Sequence, residues 1–245
     1  MKIALIHGQS HKGSSCQIGR MLAGRFPESQ ISEFFLPRDL EHFCLGCYAC
    51  IEEEEKCPFY PEKRRIMDAV EDAELLIFTT PTYCMRASAP MKAFIDLTFT
   101  YWMSHKPRAC MFGKKAVVIS TAAGTGAKRA VRDVATALFY WGVPSVRKYG
   151  IAVQAMGWEQ VSEKKKARIG KDVERLSDAV LKQKTVRVGL KTRVMFGVMR
   201  MMQIKGWGAS PKEKAYWEKQ GWLAAERPWS RTEKQKSKQR GETAL

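Results

Sequence analysis

The chain has 245 residues, 45% hydrophobic and 27% charged, with seven cysteines and a formal net charge of +17 at pH 7. That length suits one α/β domain with a full core and an extension. No apolar run in the chain approaches the length needed to cross a bilayer as a helix.

Lys2–His7 is a short apolar run and reads as a buried parallel strand. It is too short for a signal-peptide core and runs straight into Gly8, so a cytoplasmic protein is expected. Ser14–Gly24 reads as a helix and Gln30–Leu36 as a second strand. Residues 38–60 hold four cysteines and no clear periodicity. Pro61–Asp72 is helical, opened by a proline suited to a first turn. Glu74–Thr80 is a third buried strand, stopped by Pro81. Ala89–Tyr101 is a helix, Lys115–Thr121 a fourth strand, Ala127–Trp141 a helix and Ser145–Val153 a fifth strand. Glu159–Gln183 is a long charged helix. Strands alternating with helices predict a doubly wound α/β fold with five parallel strands and ligands at their carboxyl ends.

Residues 1–185 are therefore expected to form the main domain, with 38–60 as a cysteine-rich insert. Residues 186–229 form a helical extension, in which Val194–Ile204 holds Met195, Met199, Met201 and Met202. Packing on the domain or across a homo-oligomer is its expected use, and a partner or membrane surface is the alternative. Residues 230–245 are polar and expected to be disordered. The charge is lopsided: residues 1–112 carry 13 Lys+Arg against 14 Asp+Glu, and the rest carries 29 against 11. With no nucleic-acid motif beside it, the basic half reads as a solvated face or an attractor of phosphorylated cofactors; no nucleic-acid partner is expected, and an anionic membrane surface is the alternative.

Gly8 to Gly13 has the G-x-x-x-x-G spacing of a P-loop, but Ser14-Ser15 stands where Lys-Ser/Thr is needed. That argues against a nucleoside triphosphate, and the dinucleotide fingerprint G-x-G-x-x-G is absent as well. Ser10, Ser14 and Ser15 supply hydroxyls, Gly13 allows close backbone approach, and the helix start offers unpaired amides. This set suits a monophosphate, and a plain serine-capped turn is the alternative. Two more strand-end loops join it: Pro81, Thr82, Tyr83, Cys84 and Met85 after the third strand, and Thr121, Ala122 and Gly124 after the fourth.

The run Gly8…Ser14-Ser15, the stretch Thr80-Pro-Thr-Tyr83…Ser88…Met91-Lys92-Ala-Phe94-Ile-Asp96 and the glycine turn at 121–126 together resemble one group. It is the NAD(P)H-dependent FMN reductase and iron–sulfur flavoprotein group of the flavodoxin-like superfamily, matched over roughly residues 1–155. The resemblance implies FMN held through Ser10, Ser14, Ser15 and the residue at Cys16, with ring contacts from Pro81–Met85 and Thr121–Gly124. It implies NAD(P)H as electron donor and a quinone, flavin or other small acceptor. Cys16 and Leu97 depart from the group, which often has Asn or Thr, and Arg, there.

Cys44-x2-Cys47-x2-Cys50-x6-Cys57 has spacing suited to a [4Fe–4S] cluster or to zinc. The resemblance favours the cluster, although related reductases keep similar cysteines without one. The acidic run Glu52–Glu55 would add negative charge beside it. Cys84 and Cys110 are expected to be ordinary buried thiols. His7, His11, His42 and His105 show no ligand spacing, and no catalytic side chain is expected. An electron-transfer protein shuttling between a redox partner, cluster and flavin is the alternative function, and a basic binding module without catalysis is a second.

Overall fold

The computed structural model describes residues 1–230. The tail expected to be disordered thus lies outside the described residues, apart from Ser230. In chain order the elements are β1 (Lys2–His7), α1 (Ser14–Ala23), β2 (Gln30–Phe35), the one-turn α2 (Ala49–Glu52) and α3 (Tyr60–Asp72). They continue with β3 (Leu75–Tyr83), β4 (Arg86–Ala87), α4 (Ala89–Leu97), β5 (Lys115–Ala122), α5 (Ala127–Tyr140) and β6 (Ser145–Ala152). The chain then forms α6 (Glu163–Lys182), α7 (Leu190–Lys205) and α8 (Pro211–Lys219).

Five strands pair in parallel in the order β2-β1-β3-β5-β6, and the two-residue β4 pairs antiparallel with β3. The expected sheet is thus present with one short added strand. Central strands are buried on both faces, so side chains divide by parity. Ala4 and Ile6 of β1 join the layer with α3, α4 and α5, while Ile3 and Leu5 join the layer with α1 and α6. The chain order reverses between β1 and β3, so the crevice at their carboxyl ends is the ligand position for this topology.

Pro81 does not stop β3. The strand continues to Tyr83, with Pro81 paired opposite Thr121 of β5. The other neighbour, β1, ends at His7 opposite Thr79, so no adjacent strand needs the amide that proline lacks. Helix α4 ends at Leu97, earlier than expected. The Thr98 hydroxyl donates to the carbonyls of Phe94 and Ile95, and a 3-10 turn, Phe99–Tyr101, follows. Helix α6 starts later than expected because Ser162 caps it, accepting from the Lys165 amide.

A third apolar cluster joins the extension to the domain. Phe196 of α7, Trp217 of α8 and Trp222 pack with Met103 and Phe112 from the α4–β5 connection. No helix among the described residues is long and apolar enough to cross a membrane.

Candidate functional site

The loop after β1 is pinned at its start. The Gly8 amide donates to the Thr79 carbonyl at 2.7 Å, and the Ser88 hydroxyl donates to the Gly8 carbonyl at 2.5 Å. A Cβ on Gly8 would stand 2.7 Å from Ser88 Oγ, so the close approach requires glycine. Gly13 is the N-cap of α1 in an extended conformation, and no side chain caps the helix. The amides of the first turn therefore have no intrahelical acceptor. Ser14 and Ser15 are buried there, while Ser10, His11 and Lys12 are exposed. An uncapped helix start beside two exposed basic-type side chains is a ready anion seat.

Cys16 takes a different place from its neighbours. Its side chain is buried, with Sγ 3.9 Å from His7 Nε2, which leaves the backbone amide as its donor to any anion. His7 itself is buried between Thr79 Oγ1 at 2.7 Å and Glu33 Oε1 at 2.8 Å. Arg20 grips both Glu33 oxygens, at 2.7 and 2.8 Å. Burial pushes the His7 imidazole below its ordinary value, and hydrogen bonds from Arg20 hold the Glu33 carboxyl below its own. His7, Cys16 and Glu33 place ligand atoms within 4.8 Å of one another. The guanidinium on both carboxylate oxygens makes the cluster a polar brace under the loop, since an added cation would have to displace Arg20. The histidine reading from sequence missed this brace. Its signal was a histidine ending a run of apolar strand residues, which burial obliges to find partners.

The second loop is a hairpin. Cys84 and Met85 join β3 to β4 with φ of +48° and +66°. Two consecutive positive φ values are those of a type I′ turn, for which asparagine and glycine are the usual residues. Cys84 and Met85 thus hold a strained conformation at the mouth of the crevice. The hairpin is fastened on both sides. Arg86 donates to both carboxylate oxygens of Asp133 in α5, at 2.9 and 2.7 Å. The Tyr83 hydroxyl donates to Gln9 Oε1 at 2.9 Å, tying the hairpin to the loop after β1. Tyr83 and Cys84 are exposed, so Cys84 is not the buried thiol expected; Cys110 is exposed as well.

The third loop completes the crevice. Thr121 bonds Ser15 hydroxyl to hydroxyl at 2.6 Å, and Thr82 bonds Ser120 at 2.9 Å. Ala122 is buried at the end of β5, whereas Gly124 faces open space. Gly126 has φ +97°, and a Cβ there would meet Thr82 at 2.8 Å and the Met85 backbone at 3.1 Å. Met85, Gly124 and Gly126 line a cavity of about 380 Å³ with Lys128 and Gly150. Pro81–Met85, the Ser14–Cys16 helix start and the 121–126 turn are thus cross-linked at one sheet edge.

All four clustered cysteines line a second cavity, of about 350 Å³, together with Tyr48, Phe59 and Phe99. Cys44 and Cys47 are exposed, and Cys50 and Cys57 are buried. Among the described residues no three of these sulfurs lie within 4.8 Å of one another. A tetrahedral zinc with bonds near 2.3 Å draws its sulfurs to about 3.8 Å, so the loop is not gathered around a single-ion point. Lys63 is fully buried and its ammonium has no hydrogen-bond partner. It acts electrostatically on Cys50, opposing the upward push of burial on that thiol. Lys106 donates to the carbonyls of Ile51 and Glu52 at the end of α2. The acidic run is partly neutralised, because Glu54 is turned inward onto Arg108 at 2.5 Å. A buried Lys63 nitrogen that lies over the Tyr60 ring, lacks a hydrogen-bond partner and acts on Cys50 suits an anionic group near that cysteine.

A doubly wound parallel sheet with a serine-rich helix start and two cross-linked strand-end loops defines a flavodoxin-like α/β protein. The chain belongs to the NADPH-dependent FMN reductase family, which matches residues 1–157. It is 27% identical over 136 residues to an iron–sulfur flavoprotein of Archaeoglobus fulgidus; the match covers 54% of this chain and 59% of that one. Among solved structures, a flavone reductase aligns at TM-score 0.56 and 14% identity, over 77% of this chain and 66% of its own. An FMN-dependent NADH-azoreductase from Bacillus anthracis, in complex with FMN, aligns at TM-score 0.52 and 10% identity, over 72% of this chain and 100% of its own. The chain spans about two thirds or less of the first two relatives, and the two structural likenesses are of fold alone.

Proposed function

We propose that this chain is an FMN-dependent oxidoreductase that passes electrons from NAD(P)H to a small acceptor. The observation that carries the reading is the uncapped, buried-serine start of α1, cross-linked by Ser15–Thr121 and Tyr83–Gln9 to the two other strand-end loops. The family to which the chain belongs supports the same cofactor. Bound FMN supplies the hydride and electron chemistry, while the protein supplies position and electrostatics. The amides of Ser14, Ser15 and Cys16 and the hydroxyls of Ser10 and Ser14 would hold the phosphate. Pro81, Thr82, Tyr83, Cys84 and Met85, together with Thr121, Ala122 and Gly124, would border the ring. Ser15 would act mainly as a positioning group, because its hydroxyl is already bonded to Thr121.

A second reading adds a metal cluster. Cys44, Cys47, Cys50 and Cys57 share one cavity, and Lys63, buried without a hydrogen-bond partner, acts electrostatically on Cys50. A [4Fe–4S] cluster carries net negative charge and spaces its cysteines more widely than zinc does, so the donor set fits the cluster better. The chain would then move electrons between the cluster and the flavin.

The test is the visible spectrum of anaerobically purified protein, with iron and zinc analysis and turnover of NADH and NADPH. Flavin bands, or FMN uptake on titration, together with NAD(P)H oxidation are expected. Absence of any FMN uptake sinks the first reading. Flavin with neither iron nor reconstitution by iron and sulfide sinks the second, and stoichiometric zinc makes the cysteines structural.

A further inference from the structure

Helix α7 has one side buried on the domain and an opposite side that is apolar and exposed. Thr192, Phe196 and Gln203 are buried, and Phe196 packs on Trp217 and Trp222 with ring centroids 4.9 and 5.7 Å away. On the far side Leu190, Val194, Val198, Met201 and Ile204 recur at intervals of three and four, and all are exposed. Trp207 follows the helix; it is 64% exposed and Leu190 is 78% exposed. At 100° per residue these five positions fall within an arc of about 120°, roughly opposite the buried three. The stripe runs about 21 Å at 1.5 Å per residue. A contiguous apolar face of this length on a soluble domain marks a surface that something covers.

The surrounding charge says what covers it. Residues 182–212 contain eight Lys and Arg and no Asp or Glu. Lys182, Lys184, Arg187, Lys191, Arg193 and Lys205 are exposed, and none has a carboxylate partner among the described residues. On the helical projection Lys191 and Arg193 flank the stripe on its two sides, and Lys205 lies beside Val194 and Val198. A second copy of the chain fits poorly, because pairing two such faces would set like charges against each other. Residues 231–245 fit poorly as well, since their apolar side chains are Ala244 and Leu245 alone.

We propose that this face of α7 docks on an anionic membrane surface, with the helix lying in the interfacial plane. Leu190, Val194, Val198, Met201 and Ile204 enter the boundary between headgroups and acyl chains, and Trp207 anchors one end at headgroup level. The flanking lysines and arginines meet lipid phosphates and carboxylates. At 16 residues α7 is too short to span a bilayer, so the contact is one-sided. The domain stays in water, held to the surface through the third apolar cluster.

The test is co-sedimentation of the full chain with vesicles of phosphatidylcholine, with and without phosphatidylserine, over a range of salt. The protein is expected to pellet with the anionic vesicles, to remain soluble with the neutral ones, and to be released as salt rises. The paired change Val194→Glu and Val198→Glu is expected to weaken binding by roughly tenfold or more. Both positions are exposed, so its circular dichroism should match the parent. Failure to bind anionic vesicles overturns the proposal, as does binding that survives the paired change. A dimer that the paired change dissolves, without vesicle binding, assigns the face to a second copy. Binding gained only on removal of residues 231–245 assigns it to that tail. Either result also overturns the proposal.

Discussion

Lys63 is buried with no hydrogen-bond partner for its side-chain nitrogen, near enough to Cys50 to act on it electrostatically. Positive charge beside a cluster favours its reduced, more negative state. If a cluster is bound there, as the second reading proposes, Lys63→Met is expected to lower its midpoint potential by on the order of tens of millivolts. A spectroscopic redox titration of anaerobic protein reads this, with Lys63→Arg retaining most of the parent value; an unchanged potential removes Lys63 from that role. The brace under the phosphate loop makes a second prediction. His7 sits below its ordinary 6.5 and Glu33 below its ordinary 4.5. A group whose folded pKa is lowered binds fewer protons folded than unfolded, so its contribution is full above the ordinary value and declines as pH falls through the folded one. Stability should first decline below about pH 6.5, from His7, and again below about 4.5, from Glu33. Glu33→Gln should lose about 1–3 kcal/mol at pH 7 and show a weaker second decline. Thermal melts from pH 8 to 3 check this, and parallel profiles for parent and variant refute it. None of this was visible from residue spacing, because His7, Glu33 and Thr79 meet only when β1 lies between β2 and β3.

The elements themselves were mostly legible. Strand-like segments with turn residues between them gave β1, β2, β5 and β6 to within a residue at each end; β1 and β5 are buried parallel strands with no polar alternation to misread, while β2 and β6 are partly exposed edge strands marked by their flanking turns. Pro81 was misjudged for a topological reason: a proline breaks a strand only where a neighbour needs its amide, and β1 had already ended. The cost of that error was the hairpin, which sequence showed as a loop of five contacts and not as a strained turn. Gly126 tests whether that strain matters. A methyl there meets Thr82 and Met85 and adds an unfavourable φ of +97°. Gly126→Ala should cost about 1–2 kcal/mol of stability and weaken FMN uptake by displacing the hairpin. Gly124→Ala, with nothing within 4 Å of the added carbon, should leave stability unchanged. Flavin fluorescence titration and melts of the two variants, compared side by side, decide it; equal behaviour rejects the hairpin as a ring-facing element.

At the scale of the whole molecule, the basic second half and the Met- and Trp-rich extension were readable as composition but not as architecture. Methionine positions gave no orientation: Met195 and Met199 turn toward the domain, while Met201 stands outward. What decides the arrangement is a long-range match between the extension and the α4–β5 connection. Trp217 donates its indole N–H to the His105 carbonyl at 2.6 Å, Tyr216 donates to the Pro107 carbonyl at 2.5 Å, and Gln203 donates to the Ser104 carbonyl at 2.9 Å. The extension thus satisfies backbone groups that residues 104–107 cannot pair within the sheet. Trp217 is fully buried against Phe196 and Trp222, so Trp217→Ala combines a cavity with a lost hydrogen bond. It should cost about 3–5 kcal/mol. Truncation after residue 185 should go further, since it uncovers Met103 and Phe112 together and leaves three carbonyls without donors. The truncated chain is expected to aggregate or melt far below the parent. A truncated chain that is soluble, melts with the parent and takes up FMN equally would instead make residues 186–230 an independent attachment, and the third apolar cluster would carry no share of the fold.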